Sequence, residues 1–282
     1  MKIAAIQMVS TPDVAHNLER ARHWMAQAAA QGAELVALPE YFCLMGNADR
    51  DKLAIAESDQ GAASCSNAQA PIQSLLSQTA RELGLWVIGG TLPLYAEQAD
   101  HVRNACCVYA PGGERVVRYD KLHLFRYDNG RERYDESLVL EQGDVPVVAP
   151  VVTQSGPWRT GLSVCYDLRF PELYRAMSFT PGQPPCDLIS VPAAFTYTTG
   201  QAHWELLLRA RAVENQAYVI AAAQGGRHAN GRRTWGHSMV IDPWGEVLAC
   251  LPEGEGLALA EISAERLAAV RAQLPALQHR RL

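Results

Sequence analysis

The chain has 282 residues, of which 48% are hydrophobic and 20% are charged. A chain of this length and composition can bury one large core, so we expect a single domain over 1–282. Its formal net charge is −5, with acidic and basic residues interspersed, which argues against a nucleic-acid partner or an anionic membrane surface. No apolar stretch approaches the ~20 residues of a membrane span, and seven cysteines without zinc-type spacing indicate free thiols. We therefore expect a soluble, cytoplasmic protein that needs no metal or other cofactor.

In chain order, short strand-like runs alternate with helix-like runs, which is the pattern of a layered α/β domain. Strands are predicted at 3–8, 35–38, 85–89, 105–109, 161–165, 188–191, 218–223, 238–241 and 246–250. Helices are predicted at 17–30, 72–83 and 202–215, the first two ending near Gly32 and Gly84. Two loop-rich stretches, 56–71 and 126–141, interrupt the pattern, and loops near a catalytic rim commonly tune substrate choice.

Two of the strand-like runs are followed by an ionisable residue. Pro39 and Glu40 follow the run at 35–38, and Lys121 follows alternating residues at 115–120. Because side chains at the C-terminal ends of strands share one rim of a sheet, Glu40 and Lys121 are candidates for one pocket. Taken alone, each has an ordinary explanation, since Glu after Pro is usually a turn or cap residue and Lys after a strand is usually solvated.

Cys165 stands where an apolar run meets a helix-like segment that Pro171 begins, in the sequence GLSVCYDLRFPE at 161–172. A thiol at this rim lies beside backbone N–H groups that stabilise negative charge. Most cysteines are simply small buried hydrophobic residues, and the other six are interpreted in that way. Cys165 becomes a candidate nucleophile only if a base and an oxyanion-stabilising group accompany it, and Glu40 and Lys121 supply both.

The order Glu40, Lys121, Cys165 and the surrounding segments resemble the carbon–nitrogen hydrolase, or nitrilase, superfamily, whose catalytic triad is Glu-Lys-Cys. The matching segments cover nearly the whole chain: 2–8, 35–40, 119–125, 165–173 and 236–245. Segments 192–214 and 221–228 look like the Nit branch, as does the tail at 274–281, and they look closer to deaminated glutathione amidases than to omega-amidases.

The resemblance implies an α-β-β-α sandwich that forms a four-layer αββααββα homodimer, with the tail at about 263–282 packed at the dimer interface. It implies that Glu40 is the general base and Cys165 the nucleophile that forms a thioester. Lys121, together with the backbone N–H of Tyr166, would stabilise the oxyanion. We expect Lys121→Met to abolish turnover while leaving the fold intact.

The family also uses a second glutamate after the lysine, which orients the lysine and the substrate. Glu136 matches it best, and Glu132 is the alternative. The loop at 126–136 is more charged than the version found in eukaryotic Nit proteins, so the match is less direct here than at the triad.

The resemblance implies hydrolysis of deaminated glutathione to 2-oxoglutarate and cysteinylglycine, a metabolite-repair reaction. The alternatives are an omega-amidase acting on 2-oxoglutaramate, and a non-catalytic scaffold, which would have no need of the three triad residues together. A small-molecule substrate with carboxylates needs basic residues near the pocket. The candidates are Arg126, Arg131, Arg133, Arg169 and Arg227.

Each candidate binding residue also has a structural interpretation. Arg126, Arg131 and Arg133 equally fit a solvated charged loop. For Arg169 the favoured interpretation is an ion pair with Asp167 or Glu172. Phe195 and Thr196 are expected to wall the acyl site, although Phe195 equally fits the core.

Overall fold

The computed structural model describes residues 1–60, 68–128, 130 and 133–281. Its helices are α1 (Val14–Ala30), α2 (Asp51–Ala54), α3 (Pro71–Leu83), α4 (Pro171–Ser178), α5 (Tyr197–Asn215) and α6 (Ala264–Gln273). Its strands are β1 (Lys2–Gln7), β2 (Leu35–Ala37), β3 (Trp86–Ile88), β4 (Leu92–Tyr95), β5 (Val102–Tyr109), β6 (Arg115–Asp120), β7 (Arg126–Asp128), β8 (Arg133–Asp135), β9 (Val148–Thr153), β10 (Gly156–Leu162), β11 (Leu188–Ser190), β12 (Tyr218–Ala221), β13 (Gly225–Arg227), β14 (Arg233–Trp235), β15 (Ser238–Ile241), β16 (Val247–Leu251) and β17 (Gly256–Glu261).

Two large sheets form the centre of the described chain. The first has the order β17-β1-β2-β3-β5-β4, with β6 also paired to β5, and the second has the order β16-β15-β12-β11-β10-β9. Strands β1, β2 and β3 are parallel, as are β10, β11 and β12, and the remaining pairs in both sheets are antiparallel. Crossovers of the βαβ type through α1, α3, α4 and α5 account for the parallel pairs and place these helices on the sheet faces.

The alternation of side chains along β1 shows how the layers pack. Ile3 and Ala5 join a core that contains residues of both sheets and of α4 and α5, whereas Ala4 and Ile6 pack with α1 and α3. All four side chains are fully buried, so β1 is covered on both faces. The layer order is therefore helix, sheet, sheet, helix, and the predicted α-β-β-α sandwich is confirmed.

Two of the predicted element boundaries that differ from the structure bear on the site. The strand predicted at 161–165 is β10, which ends at Leu162, so Cys165 lies beyond it in a short 3-10 turn. The helix predicted at 202–215 begins at Tyr197 and contains Gly200, although glycine usually weakens a helix. A Cβ atom at Gly200 would lie 2.3 Å from Cβ of Trp235, so close packing of α5 on β14 requires glycine there.

The charged stretch at 126–141, which the sequence predicts to be loop-rich, contains short regular elements. It contains a two-stranded antiparallel sheet in which Tyr127 of β7 is opposite Tyr134 of β8. Phe125 packs near both tyrosine rings, with centroid separations of 6.1 and 5.8 Å. Aromatic contacts of Phe125 with Tyr127 and Tyr134 therefore support the pairing of β7 with β8.

In the part of the chain that the structure describes, no helix has the length and apolar character needed to cross a membrane.

Candidate active site

Glu40 lies in a turn that follows β2 and is fixed by close backbone packing. A Cβ atom at Gly90, which has a φ of +55°, would lie 2.2 Å from the Pro39 carbonyl oxygen, so glycine is needed beside this turn. The Glu40 side chain is 1% exposed. Its carboxylate accepts hydrogen bonds from Lys121 Nζ at 2.9 Å, Asn104 Nδ2 at 2.9 Å and the Ala194 N–H at 2.9 Å. Three N–H donors match the acceptor-only character of an ionised carboxylate.

Lys121 follows β6 and lies between two carboxylates. Its Nζ atom is 2.9 Å from Glu40 Oε1 and 2.8 Å from Glu136 Oε2, and the side chain is 1% exposed. Burial alone would lower the pKa of Lys121, but Glu136 and Glu40 outweigh it and raise the pKa above its ordinary value. The lysine therefore keeps its positive charge throughout the neutral and moderately alkaline pH range.

Glu136 is held in place by more than the lysine. It accepts hydrogen bonds from the Tyr41 hydroxyl at 2.9 Å and from the Phe125 N–H at 2.7 Å. Burial tends to raise the pKa of Glu136, but Lys121 and these hydrogen bonds lower it below its usual value. Glu136 is thus an anion that fixes the position of the Lys121 ammonium. Glu132, the sequence alternative, and Arg131 lie outside the described residues.

Cys165 occupies a constrained backbone position opposite this ion pair. Its φ is +49°, a left-handed conformation that residues other than glycine rarely adopt, and its N–H donates to the Pro192 carbonyl at 2.8 Å. Burial raises the pKa of the Cys165 thiol well above its ordinary value, and Glu40 raises it further against the opposing effect of Lys121. The resting group is therefore a thiol, and it is hydrogen-bonded to Glu40.

Asp167 connects the cysteine turn to the strand that carries the lysine. Its fully buried carboxylate accepts from the Val164 N–H at 2.8 Å, the Tyr119 hydroxyl at 2.6 Å and the His123 N–H at 3.0 Å. His123 Nδ1 lies 2.7 Å from the same carboxylate. Because Tyr119 and His123 flank Lys121, this one carboxylate fixes the cysteine turn relative to the lysine.

A pocket opens above Cys165 and Glu40. Its walls include the aromatic rings of Phe125, Tyr166 and Phe195, the hydroxyl groups of Thr196 and Thr199, and the polar side chains of Glu136 and Arg232. Phe195 also packs near Trp204, with ring centroids 5.0 Å apart, so it belongs to both the pocket wall and the core. The structure thus brings Glu40, Lys121, Glu136 and Cys165 together with three of the predicted binding residues, Tyr166, Phe195 and Thr196.

The four predicted arginines that the structure describes do not line this pocket. Arg126 has a 78% exposed side chain whose Nε is 3.6 Å from Asp135, and Arg133 and Arg227 are exposed. Arg169 lies over the Phe195 ring at 5.4 Å and contacts His203 Nδ1 at 3.3 Å. The ion pair favoured for Arg169, with Asp167 or Glu172, is not formed within the described residues. Asp167 instead accepts hydrogen bonds from Val164, Tyr119 and His123.

The sequence interpretation missed four residues of the site: Asn104, Tyr41, Asp167 and Arg232. Asn104 is the one polar residue on its face of strand β5, which it shares with Val102, Cys106 and Val108, a signal that a buried partner is present. Tyr41 and Asp167 adjoin residues already identified. Arg232 carries no such signal, because only tertiary packing brings it to the pocket.

The described residues contain no group of three or more His, Cys, Asp or Glu side chains that could hold a metal ion. A thiol, a carboxylate in contact with it and a fixed ammonium group are the components of covalent acyl transfer. The carboxylate can take the thiol proton, and the ammonium group can stabilise negative charge on a carbonyl oxygen.

Comparisons with known proteins identify the family. A carbon–nitrogen hydrolase family model matches residues 2–272. A deaminated glutathione amidase of Synechocystis sp. (strain PCC 6803 / GT-S) is 41% identical over 280 residues, covering 98% of this chain and 97% of the relative. The omega-amidase NIT2 of Xenopus tropicalis is 36% identical over 283 residues, covering 99% and 95%. The crystal structure of Saccharomyces cerevisiae Nit3, a member of branch 10 of the nitrilase superfamily, matches with a TM-score of 0.84 at 28% identity over 100% of this chain and 97% of that one. The sequence resemblance is confirmed, and the chain belongs to the carbon–nitrogen hydrolase family.

Proposed function

We propose that this protein is an amidase that hydrolyses deaminated glutathione to 2-oxoglutarate and cysteinylglycine through a thioester on Cys165. The observation that carries the proposal is the buried contact of Glu40 with both Lys121 and the Cys165 thiol at the floor of one pocket. Full-length similarity to relatives named deaminated glutathione amidase supports the substrate. The described cysteines are unpaired, which is consistent with a reducing cytoplasm.

Acylation begins with attack of Cys165 Sγ on the amide carbonyl carbon while Glu40 takes the thiol proton. A raised thiol pKa makes this transfer necessary, because the unassisted thiolate is scarce. Negative charge develops on the carbonyl oxygen, which Lys121 Nζ and the Tyr166 N–H stabilise. The C–N bond then breaks, Glu40 gives its proton to the leaving amine, and the acyl group remains as a thioester.

Deacylation repeats the sequence with water as the nucleophile. Glu40 takes a proton from water, the oxygen attacks the thioester carbonyl, and Lys121 again stabilises the oxyanion. The C–S bond breaks, Glu40 returns the proton to sulfur, and the acid product leaves. Glu136 takes no proton in either step: it holds the Lys121 ammonium in position.

The test is steady-state hydrolysis of deaminated glutathione and of 2-oxoglutaramate, with Cys165→Ala as the blank. We expect kcat/KM to be at least about 10-fold higher for deaminated glutathione than for 2-oxoglutaramate, which requires only a modest difference in transition-state binding of the leaving group. A higher value for 2-oxoglutaramate would make the protein an omega-amidase, the name carried by the Xenopus tropicalis relative. Turnover of neither substrate would reject both assignments.

The active form is a homodimer that uses the outer face of α5 and the adjoining tail at about 263–282. Leu206 and Val213 of α5 are 68% and 49% exposed, and Leu274, which accepts a hydrogen bond from Gln216, is 47% exposed. Apolar side chains of this size on one face support a protein contact.

Light scattering should therefore give about twice the 30.9 kDa chain mass. Leu206→Glu places a charge in the contact and is expected to shift the protein toward monomer. Val152→Glu is the control, since Val152 is 60% exposed on β9, away from α5. A monomeric wild-type protein, or equal masses for all three proteins, would contradict this arrangement.

A further inference from the structure

Arg232 is a cation in the pocket for which the described residues provide no anionic partner. It lines the pocket that contains Cys165, and it also lines an adjoining cavity together with Tyr41, Tyr134 and Glu136. No carboxylate of the described chain lies within ion-pair distance of its guanidinium group, and its buried Nε has no hydrogen-bond partner. A buried guanidinium donor without an acceptor is costly unless a ligand supplies one.

The guanidinium group is nevertheless held in one place. Its central carbon lies 5.2 Å from the ring centroid of Tyr134, and its NH1 atom is 4.0 Å from Met45 Sδ. Stacking on the tyrosine covers a face of the planar group and leaves its N–H edge available for in-plane acceptors. A fixed guanidinium edge is suited to a carboxylate, which accepts two parallel hydrogen bonds.

Formal charges in the pocket point to the same ligand. Glu40 and Glu136 contribute −2 and Lys121 contributes +1, so the buried catalytic cluster carries a net charge of −1. A substrate with its own carboxylate would be repelled by this cluster in the low dielectric of the pocket. Arg232 supplies the charge that cancels the repulsion.

We infer that Arg232 binds a carboxylate of the substrate and thereby selects amides that carry one. This inference rests on the proposed amidase function and specifies its substrate class. Deaminated glutathione offers two such groups, the 2-oxo acid carboxylate of the acyl half and the terminal carboxylate of the leaving half. Both are recognised by the same bidentate chemistry, and the substrates chosen for the test distinguish them.

The test compares Arg232→Met with Arg233→Met, a control at the neighbouring arginine, whose charge is paired with Glu253 at 2.9 Å. The substrates are deaminated glutathione, its C-terminal amide, 2-oxoglutaramate and the methyl ester of 2-oxoglutaramate. Arg232→Met should lower kcat/KM by about 10- to 100-fold, the size of a charged hydrogen-bond loss, chiefly through KM. Arg233→Met should change it less than about 3-fold.

The pattern across substrates identifies the carboxylate. If Arg232→Met lowers kcat/KM for 2-oxoglutaramate but not for its methyl ester, Arg232 binds the acyl-half carboxylate. If the variant lowers kcat/KM for deaminated glutathione but not for its C-terminal amide, Arg232 binds the leaving-half carboxylate. The inference would be overturned if Arg232→Met lowered kcat/KM equally for substrates with free and with esterified or amidated carboxylates, or for none of them. Either result would leave the amidase function intact.

A binding measurement separates this inference from the proposed reaction. In the Cys165→Ala background, calorimetric titration with 2-oxoglutarate and with deaminated glutathione reports affinity without turnover. An affinity that falls at least about 10-fold with Arg232→Met, but not with Arg233→Met, for either ligand supports the carboxylate site even if the wild-type enzyme hydrolyses neither substrate. If Arg232→Met changed the affinity for neither ligand, a carboxylate site at Arg232 would be excluded.

Discussion

Cys165→Ala is expected to lower kcat by at least about 10⁴-fold, because the step that forms the thioester loses its nucleophile. The small side chain and the backbone bond from the Cys165 N–H to Pro192 remain available, so the fold should survive. Turnover is measured with deaminated glutathione, and thermal unfolding checks the fold. Mass spectrometry of the wild-type enzyme quenched during turnover should show one acyl adduct on the peptide that contains Cys165.

Cys250→Ala is the matched control, since Cys250 is an exposed thiol on β16 away from the pocket. Its kcat should stay within about 2-fold of the wild-type value. If Cys165→Ala retained more than about a tenth of wild-type turnover, or if the adduct lay on another cysteine, the nucleophile would have to be sought elsewhere.

The candidate triad could be predicted because each member follows a strand and carries a local sequence signal. Pro39 before Glu40, the alternating residues before Lys121 and the apolar run before Cys165 all mark strand ends. A one-dimensional pattern of this kind predicts which residues reach a rim. It does not predict how far the strand extends. Strand β10 ends at Leu162, Val164 is still extended, and the chain turns at Cys165 with a left-handed φ.

The residues that support the triad could not be predicted in the same way. Ala194 and Asn104 donate to Glu40 from positions 154 and 64 residues away in the chain, and Arg232 reaches the pocket from the turn before β14. Their roles depend on tertiary contacts, which sequence spacing does not encode. The start of α5 could not be predicted for the same reason. Glycine has a low helix propensity, but residue 200 is glycine inside the helix because a side chain there would clash with Trp235.

Lys121→Met is expected to reduce both turnover and stability, which revises the sequence-based expectation that the fold would be unaffected. The ammonium group lies 2.9 Å from Glu40 and 2.8 Å from Glu136, and the lysine is 1% exposed. Removing it leaves two buried carboxylates without their counterion, at a cost of about 3–5 kcal/mol in the free energy of unfolding. Loss of the oxyanion-stabilising charge should lower kcat by about 10³-fold. Chemical denaturation and steady-state kinetics at pH 7 measure the two effects.

The double variant Lys121→Met, Glu136→Gln separates charge balance from catalysis. It restores the net charge of the cluster to −1, the wild-type value, so at least half of the lost stability should return because one buried charge has been removed. Turnover should not return, since no ammonium group faces the carbonyl oxygen. Recovery of both stability and kcat would show that Lys121 serves only to balance the two carboxylates. Recovery of stability alone would assign it a direct part in the reaction.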